Sequence, residues 1–409
     1  MKISSNFAPP LRIISPFFIT GVLFYILSIV GLFTLESHIV WLNLHWIGFV
    51  HTYLIGFVML IIVGAMAQLL PVVLERGHCC VGFYPIIFTF ISLGTLLLLM
   101  GFLAYPLLLS YGGLIIVLGF AIFGIELILT GKEGLWRSLS TRAVSFAILF
   151  LTLGTVLGWV MTLGLAGTVE IDPSRLIDAH ATTLLAGGVM LILIGLAQIL
   201  LPMFGLAHGF DTRPATWAFG LIVFGVMLYL SGEIFFSNIL QTLGMISILL
   251  AVGAHIVQVV AIARKKGRRE YDIWFRSLAV AYLSLVLSLA SVIFALVSGD
   301  DRAWILAGWL FGIGFLGFMI TGHLYKIIPF LVWFEKFSPL VGKQKVPMLH
   351  QMVPKRSADF QWGYSSIGLF VVALSLVLEN NDLWYGGLSF LLVGSLFLIH
   401  NITWMLRFK

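Results

Sequence analysis

Residues 51–71 read HTYLIGFVMLIIVGAMAQLLP and carry no charged side chain. A helix of this length rises about 30 Å, which matches the hydrocarbon thickness of a bilayer. Comparable runs fill the 409-residue chain, of which 60% is apolar and only 10% is charged. Because a soluble domain carries about a quarter charged residues, the composition excludes a soluble enzyme, a coiled coil and a disordered chain. The only cysteines, Cys79 and Cys80, are adjacent and form neither a disulfide framework nor a zinc site.

Apolar runs separated by charged residues, proline and glycine continue on both sides of this segment. We therefore expect an all-α polytopic membrane protein, with a single transmembrane domain over residues 1–409 and about twelve helices. The expected spans lie near residues 13–35, 44–74, 81–104, 106–130, 142–167, 173–204, 214–233, 237–263, 273–298, 303–334, 361–379 and 383–406.

Basic residues concentrate in alternate loops. With a cytoplasmic N-terminus, the cytoplasmic segments hold 21 of the 23 Lys and Arg residues, and only Arg175 and Arg302 fall on the other side. The positive-inside rule then predicts both termini in the cytoplasm, in the inner membrane of a bacterium. The net charge of +6 therefore reflects topology. The expected partner is the lipid bilayer, and no nucleic-acid partner is expected.

The segment GAMAQLLP at 64–71 recurs as GLAQILLP at 195–202 and as GHLYKIIP at 322–329. Glycines lie seven and fifteen residues before each proline, at intervals of 131 and 127 residues. This pattern predicts three quasi-equivalent four-helix units, approximately 1–140, 141–270 and 271–409, whose second helices form an inner ring of a pseudo-threefold bundle. Glycine would allow close helix contact there, and proline would mark the end of each helix. The alternative is the ordinary glycine content of membrane helices.

Two of the ten histidines occupy matching places in this repeat. His51 and His180 lie 20 and 22 residues before their repeat prolines, where the third repeat has Trp309 and Ala307. The two-residue offset turns a side chain by about 200°, which could aim both imidazoles into the cleft between the second and sixth spans. Facing imidazoles there would provide the axial ligand pair of a haem. The alternative is that each histidine only hydrogen-bonds to a neighbour.

Other polar residues give weaker indications. His45, at the outer entrance to the second span, is a further candidate metal ligand. His78 and His208 follow repeat prolines and are expected to be solvated in cytoplasmic loops. Glu126 lies within a hydrophobic run and is expected to snorkel to the interface, with a proton-relay role as the alternative.

With twelve spans in three units and histidines on the second helices, the chain resembles the haem–copper oxidase subunit I superfamily. It is closest in these features to the NnrS-like haem and copper membrane proteins. Residues 51–71 are similar to the low-spin haem helix of that superfamily. The loop with His208, Gly209, Thr212, Arg213 and Pro214 partly matches an NnrS segment. The resemblance implies a b-type haem with His51 as a ligand. It also implies electron transfer or a response to nitric oxide or respiratory stress, with a respiratory or cytochrome partner.

The chain departs from that superfamily at the copper site. Leu184 stands four residues after His180, where a tyrosine would be needed, and the seventh span has no histidine. The tenth span lacks a His-x-His pair. Because a copper centre needs about three imidazoles in one place, copper is not expected, nor is oxygen reduction, and no catalytic residue is assigned. Whether the protein is an enzyme stays open. A cofactor-free assembly or partner subunit and a small-solute permease are the other candidates.

Overall fold

The computed structural model describes residues 9–39, 43–74, 76–132, 134–268 and 270–409, which form helices and no strand. Twelve helices are each long and apolar enough to cross a bilayer, consistent with a multi-pass membrane protein. They are α1 Leu11–Leu32, α2 Leu44–Leu74, α3 Phe83–Leu103, α4 Leu107–Gly131, α5 Leu139–Leu165, α6 Ile177–Gly205, α7 Arg213–Ile234, α8 Asn238–Arg264, α9 Ile273–Ser298, α10 Asp301–Leu340, α11 Lys355–Leu378 and α12 Asn381–Leu406.

The all-helical class and the number of helices expected from sequence are confirmed. The largest differences in bounds are six residues, at α10, which ends at Leu340 rather than near residue 334, and at α11, which begins at Lys355 rather than near residue 361. The first two turns of α11, KRSADFQ, are polar, so a search for apolar runs omits them although they are helical. Of the basic run after α8, Arg269 lies outside the described residues.

Three helices form the interior of the bundle. In α2, α6 and α10 the most apolar windows are 78, 78 and 72% buried, against 33–50% in the other nine helices. Each of the three touches the other two. The contacts are His51 with His180, the Tyr53 hydroxyl with the Gly312 carbonyl, and Phe204 with His323.

The repeat glycines are contact points, as the sequence predicted. A β-carbon at each would fall 2.5–2.9 Å from a side-chain atom of the preceding helix. The pairs are Gly56 with Phe24, Gly64 with Phe17, Gly187 with Phe150, Gly195 with Ala143, Gly314 with Ser284 and Gly322 with Ser277. The inner helices α2, α6 and α10 therefore pack closely on α1, α5 and α9, respectively.

Each inner helix contains an eight-residue π-helical segment. These segments are Thr52–Met59, Thr183–Met190 and Leu310–Gly317. All three begin 19 residues and end 12 residues before their repeat proline. Such segments are rare and are frequent at functional sites. The sequence repeat is therefore matched by a repeat in backbone geometry.

Each repeat proline lies in the last turn of an α-helical segment, three residues before the segment ends at Leu74, Gly205 or Val332. The prolines therefore stand near the ends of these segments, as expected from sequence, and only in the third repeat does a π-helical segment, Trp333–Phe337, continue the helix. Membrane helices tolerate proline where another donor satisfies the carbonyl that loses its partner.

The two ends of the bundle differ in character. We call the end where α1 begins and α2 finishes the basic end, because its loops carry most of the lysines and arginines. The opposite end, where α2 and α6 begin, is the histidine end. The bundle closes on itself where α1 packs against α12, with Ser37 and Leu35 hydrogen-bonded to Asn381 and Trp384.

Candidate functional site

His51 of α2 and His180 of α6 lie side by side at the histidine end. Their ring centroids are 6.1 Å apart and their planes differ by 16°. Each histidine stands just before the π-helical segment of its helix. The structure therefore brings together the two histidines that the repeat spacing singled out, across the cleft between the helices named from sequence.

The His51 ring is fixed by its own helix and by α3. Its Nδ1 lies 2.8 Å from the carbonyl oxygen of Ile47, and the Phe102 ring packs 5.3 Å from it, centroid to centroid. Because a carbonyl can only accept a hydrogen bond, Nδ1 must carry the proton. The lone pair of a neutral His51 is therefore on Nε2.

The His180 ring is fixed by α5. Its Nδ1 donates to the carbonyl oxygen of Gly154 over 2.9 Å, which again leaves the lone pair on Nε2. One turn further along α5, a β-carbon at Gly158 would lie 2.5 Å from Cε1 of His180. Any residue other than glycine at 158 would therefore displace the imidazole.

The two histidines are of the kind that would hold a haem iron. Neither Nε2 has a hydrogen-bond partner among the described residues. Metal-bound histidines commonly donate the other ring N–H to a backbone carbonyl, as both do here. A haem held by His51 and His180 would take its remaining ligands from the porphyrin.

The other residues singled out from sequence lie elsewhere. His45 is exposed in the first turn of α2, about 9 Å along the helix from His51, and the structure describes no contact between it and the histidine pair. Trp309, the counterpart of His51 in the third repeat, donates to the carbonyl of Leu369 over 3.1 Å. His208 is exposed, as expected. Among the described residues no group of three or more His, Cys, Asp or Glu side chains gathers.

Glu126 does not snorkel to the interface, contrary to the expectation from sequence. Its side chain is fully buried. One oxygen lies 2.6 Å from His78 Nδ1 and 2.6 Å from the Thr130 hydroxyl, and the other accepts from the Tyr84 hydroxyl over 3.0 Å. These donors replace the water that a carboxylate would otherwise need.

His78 is not solvated either, because the loop after α2 folds its side chain back into the bundle. Its Nε2 lies 2.6 Å from the carbonyl oxygen of Ala67. That carbonyl would ordinarily accept from the residue four positions later, but Pro71 has no N–H. His78 therefore satisfies the carbonyl that the repeat proline leaves free, while it also binds Glu126. The sequence contains two signals for this contact. Pro71 leaves the carbonyl of Ala67 without its usual helical donor, and His78 follows the proline by seven residues.

Comparison of the chain with protein-family models and with curated proteins gave no match.

Proposed function

We propose that this protein is an integral membrane protein that binds a b-type haem between α2 and α6, with His51 and His180 as the axial ligands. The observation that carries this proposal is the pair of near-parallel imidazoles 6.1 Å apart. Both have Nδ1 held by a backbone carbonyl and Nε2 without a partner among the described residues.

The two hydrogen bonds would do more than orient the rings. The carbonyls of Ile47 and Gly154 accept the Nδ1 protons, which makes each Nε2 a stronger donor. A haem with both axial positions filled supplies one-electron transfer. We therefore assign the protein to electron transfer, in respiration or in a response to nitric oxide, rather than to oxygen reduction.

We further propose that α1–α4, α5–α8 and α9–α12 are three quasi-equivalent units around the inner helices. The register of the three π-helical segments supports this arrangement, as does the packing of each inner helix on the first helix of its unit. Only the first two units supply a histidine to the cleft.

The orientation proposed from the loop charges places the basic end in the cytoplasm of a bacterium. His51 and His180 then lie in the outer leaflet. An electron-transfer partner, such as a cytochrome, would approach from the outer side of the membrane.

The test is the absorption spectrum and pyridine haemochrome of the protein purified from a haem-replete host, together with metal analysis. We expect a Soret band and a single haem b per chain, lost in both His51→Ala and His180→Ala. His208→Ala, which removes an exposed histidine, is the matched control and should keep its haem. No Soret band in the wild-type protein, or equal haem content in all three variants, would refute the proposal. Absence of haem together with co-purification of a respiratory protein would instead favour a partner subunit.

A further inference from the structure

An apolar crevice opens between α6, α8 and α9 at the basic end. Its volume is about 220 Å³. The wall consists almost entirely of hydrocarbon side chains, with Lys266 at the end nearest the loop. All three helices contribute to this wall, through side chains that include Leu201, Ile256, Val259, Leu278 and Ala279.

The crevice exists because two neighbouring helices do not pack along each other. At the corresponding places in the proposed units, α4 packs on α5 and α12 packs on α1, whereas α8 and α9 are held apart. The α8–α9 loop is nevertheless tied down, since the Gly267 N–H donates to the carbonyl oxygens of Gly205 and Leu206, each over 3.1 Å. The loop between α8 and α9 is therefore anchored to the end of α6.

Lys266, which has no ion-pair partner among the described residues, lines the loop end of this crevice. The Lys266 ammonium lies 3.8 Å from the centroid of the Phe275 ring and 4.1 Å from that of Tyr271. The nearby carboxylates form ion pairs with other basic residues. Arg268 pairs with Glu270 and Asp272, and Asp272 also pairs with Lys326. Among the described residues Lys266 has no ion pair. Its neighbours Arg264 and Lys265 are exposed and add to the positive charge.

We propose that the crevice is a binding site for an anionic glycerophospholipid, with an acyl chain between α8 and α9 and the phosphate at Lys266. Basic pockets between membrane helices bind acidic lipid headgroups in this way, and the apolar walls match a hydrocarbon chain. This inference does not depend on haem binding at the opposite end of the bundle.

A quinone is the alternative apolar ligand for this crevice. The Tyr282 hydroxyl lies 3.2 Å from Nε2 of His255, whereas the indole N–H of the lining residue Trp274 has no hydrogen-bond partner among the described residues and could donate to a quinone carbonyl. The positive charge of Lys266 and its neighbours favours an anionic headgroup over an uncharged quinone.

The test is native mass spectrometry of the detergent-solubilised protein after exchange with vesicles of palmitoyl-oleoyl phosphatidylglycerol or phosphatidylcholine. One cation at a membrane surface is expected to favour the anionic lipid about fivefold. We therefore expect wild-type protein to retain phosphatidylglycerol over phosphatidylcholine by at least that ratio, and Lys266→Gln to lose most of the preference. Lys355→Gln, at an exposed lysine of the same end, should behave as wild type.

A second variant tests the crevice itself. Ala279→Trp fills the space between α8 and α9 and should reduce retention of both lipids, with the folded state checked by circular dichroism and gel filtration. Equal retention of the two lipids by wild-type protein would overturn the proposal, as would an unchanged preference in Lys266→Gln. Retention of a co-purified quinone that phosphatidylglycerol does not displace would also overturn it. If Ala279→Trp does not fold, the comparison of Lys266→Gln with Lys355→Gln still decides the outcome.

Discussion

Gly158 determines how closely α5 approaches His180, because a β-carbon there would lie 2.5 Å from the imidazole. We predict that Gly158→Val displaces His180 and weakens or abolishes haem binding while the helices still form. Haem content and the position of the Soret band measure this. Gly220→Val is the matched control, since nothing lies within 4 Å of a β-carbon at Gly220. Identical spectra for the two variants would show that His180 does not bind haem in this position.

The His78–Glu126 contact makes a separate residue-level prediction. Removing one partner of a buried ion pair costs about 3–5 kcal/mol, because the other charge stays buried without compensation. We expect a loss of that order in the free energy of unfolding for His78→Asn. The loss should be smaller for His78→Asn with Glu126→Gln than the sum of the single changes. His208→Asn changes an exposed loop histidine and should have little effect on stability. If the losses from His78→Asn and Glu126→Gln simply add in the double variant, the two side chains are not energetically coupled.

The sequence predicted that His51 and His180 lie close together, which the structure shows, but it did not predict the contact of His78 with Glu126. The spacing from the repeat prolines was sufficient to bring His51 and His180 together, because both residues lie on helices whose register the repeat fixes. His78 lies in a loop, and its partner Glu126 is 48 residues away. No periodicity connects a loop residue with a residue on another helix, so both were interpreted by their local composition alone.

At the level of elements, the π-helical segments of the two histidine-bearing helices, α2 and α6, resemble each other more than either resembles the segment of α10. Thr52 and Thr183 occupy the first position of their segments and donate to the carbonyls of Gly48 and Ala179, over 2.9 and 2.6 Å. Leu310 holds the same position in α10 and has no hydroxyl. The segments could not be predicted, since the choice between four- and five-residue hydrogen bonds depends on packing across helices.

The π-helical segment of α10 also receives a hydrogen bond from α2. The Tyr53 hydroxyl donates to the Gly312 carbonyl over 2.9 Å, and Tyr53 is only 5% exposed. A hydrogen bond of this kind contributes about 1 kcal/mol, so we predict a loss of that size in Tyr53→Phe, measured as the free energy of unfolding in detergent. Tyr111→Phe changes an exposed tyrosine and serves as the control. Equal stabilities would mean that the contact does not hold α2 to α10.

For the whole molecule, hydropathy was sufficient to predict twelve helices but not which helices are neighbours. Lipid tails are as apolar as leucine, so burial of apolar surface does not select neighbours within a membrane. Small residues and hydrogen bonds determine which helices become neighbours. The repeat glycines indicated some of these helix contacts, whereas no feature of the sequence predicted the gap between α8 and α9.

The proposed orientation is testable with the native cysteines, which lie at the basic end. The Cys80 thiol donates to the Cys79 sulfur, and this hydrogen bond, together with partial burial and the neighbouring Cys79, raises the pKa of Cys80. Because a raised pKa leaves less thiolate near neutral pH, the exposed Cys79 should react first with a membrane-impermeant maleimide. Labelling is expected in inside-out vesicles and not in intact spheroplasts.

The matched probe for the histidine end is Thr168→Cys, at an exposed loop position, with Cys79 and Cys80 replaced by serine. It should be labelled in spheroplasts and protected in inside-out vesicles. The reverse pattern for both probes would invert the topology and place the histidine pair in the cytoplasmic leaflet.

The packing of α1 against α12 has a consequence for how the protein is made. Trp384 donates to the Leu35 carbonyl, and Asn381 accepts from Ser37, across more than 340 residues of chain. During synthesis the surface of α1 that will meet α12 faces lipid, or an insertion factor, until eleven more helices have entered the membrane. A ribosome paused before α12 would therefore hold an open bundle. Its exposed α1 edge would be the expected target of membrane quality-control proteases.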